Sequence, residues 1–415
     1  MARILIIGGG IAGTATALAL QKAGVEATVY EAHPDSAEDI GAFLTLASNG
    51  MRALAQVDAA EAVAGTGFPL TAMRVLDGSG AVLADVPLGE HQDPLTRFRC
   101  LRRGELNRAL QAEARRRGIG IRHSARLVGL AEGPSGATVT FADGSSATGD
   151  LVIGADGLNS TVRSLVHPAA SGPRYAGQRV FYGYTGEARA SAGSGGSGAG
   201  SGRITMIRGS RTAFGYAVSP GGETYWFARV SGDPAPAGEA ARSAPQDSRD
   251  QLVSLLRADD TPAADIVAAT ADRLMVTNAC DLPIGTPWHT ARTLLIGDAA
   301  HAASPATGQG ASMALEDAVV LAKALRDTGT AEAALAVYER LRRPRVDHNT
   351  TVSARLTAGE TSTGVAAVPD GPRPQDPAAR QPGQHPAQQP GQRPVSQVDE
   401  ELTRQLDWKI PLGVQ

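Results

Sequence analysis

Ile4-Leu5-Ile6-Ile7-Gly8-Gly9-Gly10-Ile11-Ala12-Gly13, near the start of the chain, sets a short apolar run against a glycine loop. The run over 3–7 is β-branched and apolar and ends at glycine, the pattern of a buried parallel strand. Residues 11–23 read as a helix, and Val25 to Tyr30 as a second strand ending at Glu31. Together these form a βαβ unit. Gly8 permits a tight turn out of the strand, Gly10 lets a phosphate approach the backbone, and Gly13 lets the helix pack closely. A pyrophosphate then sits at the positive end of the helix that opens with Ile11 and Ala12. Glu31, followed by Ala32, lies 18 positions past Gly13, close to the ~20 expected of a carboxylate that binds ribose hydroxyls. The unit therefore predicts a dinucleotide site. Gly193-Ser194-Gly195-Gly196-Ser197-Gly198 has the same glycine spacing. With no strand before it and no helix after it, it predicts only a flexible loop.

Two further segments fit the same task. One is Gly154-Ala155-Asp156-Gly157-Leu158-Asn159-Ser160-Thr161-Val162-Arg163, after the buried strand Leu151–Gly154. The other is Leu295-Ile296-Gly297-Asp298-Ala299-Ala300-His301, continuing through Pro305, Ala306 and Thr307 to Gly308-Gln309-Gly310-Ala311. A strand there ends at Asp298, whose carboxylate can accept hydrogen bonds from sugar or ribityl hydroxyls. The helix after Gly308 and Gly310 can turn its N–H groups to the pyrimidine edge of a flavin, and its dipole would stabilise the reduced, anionic ring. This last segment selects FAD over NAD. Only a long cofactor lying across a whole domain needs all three segments.

With these residues the chain resembles the class A flavoprotein monooxygenases, the group built like p-hydroxybenzoate hydroxylase. The resemblance covers roughly residues 1–357. It implies an α/β fold: a Rossmann-like FAD-binding domain, an interleaved antiparallel-sheet substrate domain and a C-terminal helical region. It implies that the segment around Asp156 and Arg163 serves both FAD and a transient NAD(P)H. It matches Arg103, in Leu101-Arg102-Arg103-Gly104-Glu105-Leu106, to an arginine that reaches the FAD phosphates. An arginine at a helix start opposes the helix dipole, which independently hints at an anion nearby. Leu127 falls where the family lays backbone beside adenine. Many relatives carry an arginine where this chain has Ser36-Ala37-Glu38-Asp39, which leaves the choice of NADH or NADPH open. The implied chemistry is reduction of FAD by NAD(P)H, addition of O2 to form a flavin C4a-hydroperoxide, and hydroxylation or epoxidation of an electron-rich aromatic or polycyclic small molecule. The cofactor carries the hard chemistry and the protein orients its partners. Natural-product biosynthesis or aromatic catabolism is the expected setting.

The FAD-binding domain is expected over 1–70, 98–173 and 275–357. Longer alternating strands assign 71–97 and 174–274 to the substrate domain. A disordered Pro/Gln/Gly tract follows over 358–397, and a short amphipathic segment over 398–415. Tyr182 and Tyr184 flank Gly183 and so share one sheet face. With Tyr216, Tyr225 and Trp226 they are candidates for the substrate wall, or for ordinary sheet packing. Pro305, Ala306 and Thr307 are expected beside the flavin. His301 either approaches the ring or packs locally. No catalytic base is assigned.

Composition narrows the rest. The 415 residues are 42% hydrophobic, enough for two or three cores. A net charge of -3 gives no general attraction to nucleic acid. Two cysteines, Cys100 and Cys280, make no disulfide framework, metal cluster or dithiol pair, and no metal site is expected. The apolar start is broken by glycines and lacks a cleavage site, and no stretch reaches the ~18 apolar residues of a membrane span. The expectation is a cytoplasmic enzyme without a membrane span. Two alternatives remain, a flavin-dependent reductase of the same fold and a non-catalytic flavin-binding protein. A halogenase reading fails because Trp408-Lys409-Ile410-Pro411 lacks the first tryptophan of the expected motif.

Overall fold

Five parallel strands form the first sheet, in the order Thr293–Leu295, Leu151–Gly154, Arg3–Ile7, Glu26–Tyr30 and Gly120–Arg122. The computed structural model describes residues 3–36, 41–89, 93–186, 202–236, 246–270, 274–360 and 395–413. The Gly/Ser tract at 191–201, the tail at 368–394 and Ala37-Glu38-Asp39 lie outside these. The central strand is buried from Ile4 to Ile7 because both faces of the sheet are covered, the usual state of parallel sheets. Helix Ile11–Lys22 is buried without a break from Gly13 to Leu20. It is pressed between the sheet and helix Gly310–Asp327, itself buried from Ser312 to Ala324. Alanines at this contact let the two helices approach closely. Removing each large aliphatic side chain here from water contributes about 1.5–3 kcal/mol.

A second sheet has seven strands, ordered Met275–Asp281, Arg174–Thr185, Thr224–Ser231, Thr212–Val218, Arg203–Arg208, Ala72–Asp77 and Val82–Pro87. Its pairs are antiparallel except for Arg203–Arg208 against Ala72–Asp77, which run parallel. One face is covered by helices Gln246–Leu256 and Ala263–Ala268 and carries Phe181, Phe214 and Trp226. The other carries Met73, Tyr182, Tyr184, Ile204, Met206, Tyr225 and Phe227, packed with Phe43, Phe68 and Phe98.

Helix Ala331–Thr357 runs beside Gly310–Asp327. A last helix begins at Val395, three residues before the expected segment, and ends at Leu406. Among the described residues no helix is long and apolar enough to cross a membrane.

Candidate active site

The three sequence segments meet at one edge of the parallel sheet. They follow the carboxyl ends of three adjacent strands, Thr293–Leu295, Leu151–Gly154 and Arg3–Ile7, where open α/β sheets bind their ligands. The fit between them is close. Gly8 has φ +105°, and a Cβ there would lie 2.4 Å from the Ala155 carbonyl oxygen. A Cβ at Gly13 would lie 1.9 Å from the Gly8 carbonyl oxygen, so the small residue serves the loop itself as well as the sheet. A Cβ at Gly297 would lie 3.0 Å from that of Ala12. At Gly10 the same test finds nothing within 4 Å, so space lies open beside the start of the helix. No side chain caps that helix, which leaves its first N–H groups to an anion.

Glu31 ends the second strand beside this loop. Its Oε2 accepts the Gly9 N–H at 2.6 Å and its Oε1 the His33 N–H at 2.7 Å. Each oxygen keeps a lone pair for a ribose hydroxyl. Buried Gln111 donates to the Gly9 carbonyl at 2.7 Å, a support that sequence reading missed because the two residues are 102 positions apart. Ala32 is half-buried beyond Glu31. Leu127 starts the strand Leu127–Gly133 with its side chain in the core. Its chain passes close to Glu31, whose carbonyl accepts the Ala125 N–H at 2.8 Å.

Asp298 is exposed at the start of the turn Asp298–His301 and faces Gly310, whose Cβ would be 3.9 Å from its Oδ1. The turn is fixed from below. Asp317 Oδ2 accepts the Gly297 N–H at 3.1 Å and lies 2.6 Å from His301 Nε2, while Oδ1 accepts from Arg342 at 2.8 Å. Burial alone would raise the Asp317 carboxyl, but His301 and Arg342 reverse this and hold it well below the usual range. Glu316 beside it is bound by Arg342, Arg345 and Asn49, and its carboxyl is lowered to about 2 despite burial. His301 is therefore a member of this network, packed 5.3 Å from the Trp288 ring, which matches the local-packing reading.

Beyond the turn, Pro305, Gly308 and Gly310 are exposed, with Ala306, Thr307 and Ala311 half-buried. Thr307 donates to Asn349 Oδ1 at 3.0 Å and lies 3.1 Å from Ser353 Oγ, tying the loop to helix Ala331–Thr357. Helix Gly310–Asp327 has no side-chain cap. Arg103 is exposed at the start of helix Arg103–Arg116 and lies along Gly41, whose Cβ would be 3.1 Å from its Cδ.

The middle segment is tied into the chain by its own side chains. Asp156 accepts from Ser160 Oγ and from the Val162 N–H, so its carboxylate holds the loop. Arg163 is buried and donates to the carbonyls of Ala299 at 2.9 Å and Leu158 at 2.7 Å. Arg163 thus joins this segment to the one that carries Asp298, while Asp156 holds its own loop.

The aromatic candidates divide between the faces of the second sheet. Tyr182 and Tyr184 face the flavin-binding half, with Tyr225 4.9 Å from Tyr184 and Phe43 6.1 Å from Tyr182. Arg102 lies 4.1 Å above the Tyr184 ring and is held by Glu223 at 2.8 Å. Trp226 follows Tyr225 in the same strand and so points the opposite way. It is fully buried against Phe214 and donates to Thr270 at 3.0 Å. Tyr216 pairs with Trp226 and shares its face. Both lie on the face opposite Tyr182 and Tyr184. Phe227, Met206 and Met73, which the sequence did not single out, share the Tyr182 face.

The fold and this groove define a two-part flavoprotein in which a dinucleotide-binding edge faces an aromatic sheet. A family model described as an FAD binding domain matches residues 1–353. An aurachin C monooxygenase/isomerase of Stigmatella aurantiaca is 31% identical over 355 residues, covering 85% of this chain and 88% of that protein. A 3-amino-4-hydroxybenzoate 2-monooxygenase of Streptomyces platensis is 33% identical over 83% of this chain and 85% of its own. The solved structure of Klebsiella pneumoniae HpxO complexed with FAD and uric acid matches with a TM-score of 0.73 at 29% identity, covering 86% of this chain and 89% of that one. The chain belongs to the p-hydroxybenzoate hydroxylase-like class A flavoprotein monooxygenases, and it is an FAD-dependent monooxygenase.

Proposed function

We propose that this monooxygenase uses NAD(P)H and O2 to hydroxylate or epoxidise a small, electron-rich aromatic molecule held between the flavin and the aromatic sheet face. One observation carries the reading. Strand Phe43–Leu46 touches both halves: Phe43 packs on Tyr182, Tyr184 and Tyr225, while Thr45 Oγ1 lies 3.2 Å from where a Gly308 Cβ would be. A flavin lying along Gly308–Ala311 would thus have its ring next to the aromatic face. The relatives named for 3-amino-4-hydroxybenzoate and for urate support an aromatic substrate.

In this reading Gly10 and the N–H groups after it hold the pyrophosphate, Glu31 a ribose, Asp298 the sugar or ribityl hydroxyls, and Arg103 the phosphates. FAD, when bound, supplies the redox and oxygen-activating chemistry. Burial raises the Tyr182 phenol against the hydrogen bond from Thr277, and raises that of Tyr184 against the charge of Arg102. Both stay protonated at neutral pH, so they orient the substrate as donors and do not act as bases. The apolar neighbours exclude water from the reacting face. NAD(P)H visits and leaves, and the reaction takes place in the cytoplasm.

The test is oxidation of NADH and NADPH by the purified, FAD-loaded protein across a panel of aromatic acids, phenols and quinolones, with oxygen uptake and product mass followed together. Substrate-stimulated oxidation coupled to gain of one oxygen atom is the expected result. Reduction of an added compound without oxygen uptake would instead establish a reductase.

A further inference from the structure

Arg229 lies on the same sheet face as Tyr225 and Phe227, four and two residues before it in one strand. It pairs with Val180 and Ala213, so it extends the aromatic face one step, about 7 Å, beyond Phe227. Its Nε and Nη1 are sealed from solvent and neither has a hydrogen-bond partner. Arg179 and Arg203 each leave only Nε in that state. By contrast Arg102 is held by Glu223, Arg342 and Arg345 by Glu316, and Arg163 by two carbonyls. Burial pushes the Arg229 guanidinium down from its ordinary value, and among the described residues only Tyr182, with no carboxylate beside it, opposes this.

Burying two nitrogens of a guanidinium without acceptors or a counter-charge is destabilising. Such a group is held in a binding face when its partner arrives with the ligand. The rigid fork matches a planar oxyanion, and the surrounding Val180, Phe227 and Met206 suit an aromatic body.

We propose that Arg229 anchors an anionic oxygen substituent, a carboxylate or phenolate, on the aromatic substrate. This rests on the reading of the Tyr182–Tyr225–Phe227 face as the substrate wall. Arg229 positions the ring and takes no part in oxygen transfer.

The experiment is calorimetric titration of the FAD-loaded enzyme with paired probes. 4-Hydroxybenzoate against 4-hydroxybenzamide tests the carboxylate, and pentafluorophenol, ionised at neutral pH, against pentafluoroanisole tests the phenolate. The wild type is expected to bind at least one anion about tenfold or more tightly than its neutral partner, the range of a hydrogen bond to a charged group. Arg229→Met removes that preference, with flavin content unchanged. The ligand-free R229M protein melts at or above the wild-type temperature, because an unpaired buried charge has gone; a merely structural arginine would lower it. If R229M does not fold, Arg229→Gln takes its place. No anion preference in the wild type, or a preference that survives in the variant, overturns the proposal. Flavin uptake and NAD(P)H-driven oxygen consumption separate the two readings. A yellow, NAD(P)H-oxidising protein without anion preference removes the anchor alone, whereas a protein that takes up no flavin removes the parent reading as well.

Discussion

Gly10 and Gly13 belong to one motif but answer to different parts of the molecule. A methyl at Gly13 collides with backbone at 1.9 Å, which no rotamer change relieves. Gly13→Ala is expected to lower stability by about 1–3 kcal/mol and to abolish flavin binding. Gly10 has φ -75° and open space beside it, so Gly10→Ala is expected to leave the apoprotein's melting temperature unchanged while flavin retention, read from the visible absorbance, falls. Asp298 belongs with Gly10. Exposed and outside the ion network, it can be removed without harm to the fold. Asp298→Ala should weaken FAD binding about 10- to 100-fold, the worth of one hydrogen bond to a charged group, in a fluorescence titration. The open space at Gly10 and the tight fit at Gly13 were legible because each is set by neighbours a few positions away. The hold of Asp156 on its own loop was not: its type and position fit a ligand contact, and only the positions of Ser160 and Val162 show which donors its carboxylate accepts from.

At the scale of elements, pairing decides what the sequence leaves open. Alternation put Tyr182 and Tyr184 on one face, but not on which side of the sheet the flavin lies, so Tyr216 and Trp226 entered the same list. That they lie on the opposite face from Tyr182 needs the register of Thr212–Val218 against Thr224–Ser231. The same holds for the ion network, which joins helix Gly310–Asp327 to Ala331–Thr357 through Arg342, 26 residues after Glu316. Removing Arg342 leaves two buried carboxylates facing each other, and Arg342→Met is expected to cost about 3–5 kcal/mol in denaturant unfolding. Because Asp317 fixes the Gly297 N–H, the variant should also release flavin. The network sets the acid limit too. The Glu316 carboxyl is lowered to about 2 from 4.5 in the folded chain. The unfolded chain therefore takes up the proton first as pH falls. The stabilisation is complete above pH 4.5 and is lost progressively toward pH 2. Unfolding free energies measured across that window should show a slope that Glu316→Gln reduces, and an unchanged slope would contradict the assigned pairing.

The whole molecule is closed by a segment beyond the family match, which ends at 353. Leu402, Leu406 and Leu412 are buried against the FAD-binding half. The Trp408 ring lies between Lys22 and Arg326, 5.4 and 4.8 Å from the two charges, and its backbone N–H donates to Gln56 Oε1 at 2.8 Å. Its amphipathic pattern was legible, but its docking site was not, since the partners Gln56 and Lys323 are far away in sequence. Lys323 is fully buried, and its ammonium donates to the carbonyls of Gln405 at 2.6 Å and Asp407 at 2.5 Å. These are the free carbonyls at a helix C-terminus, which favour a cation. Ending the chain at 394 removes three buried leucines, a loss of about 4 kcal/mol or more, and strips Lys323 of these acceptors. The sign of a second substitution then tests the arrangement. In the full chain Lys323→Met breaks satisfied hydrogen bonds and should lower the melting temperature. In the shortened chain it removes a cation left without acceptors in an apolar setting, and should raise it. A double-mutant cycle of four thermal melts reads this reversal directly. Equal effects in both backgrounds would mean that Lys323 does not hold the C-terminal clasp.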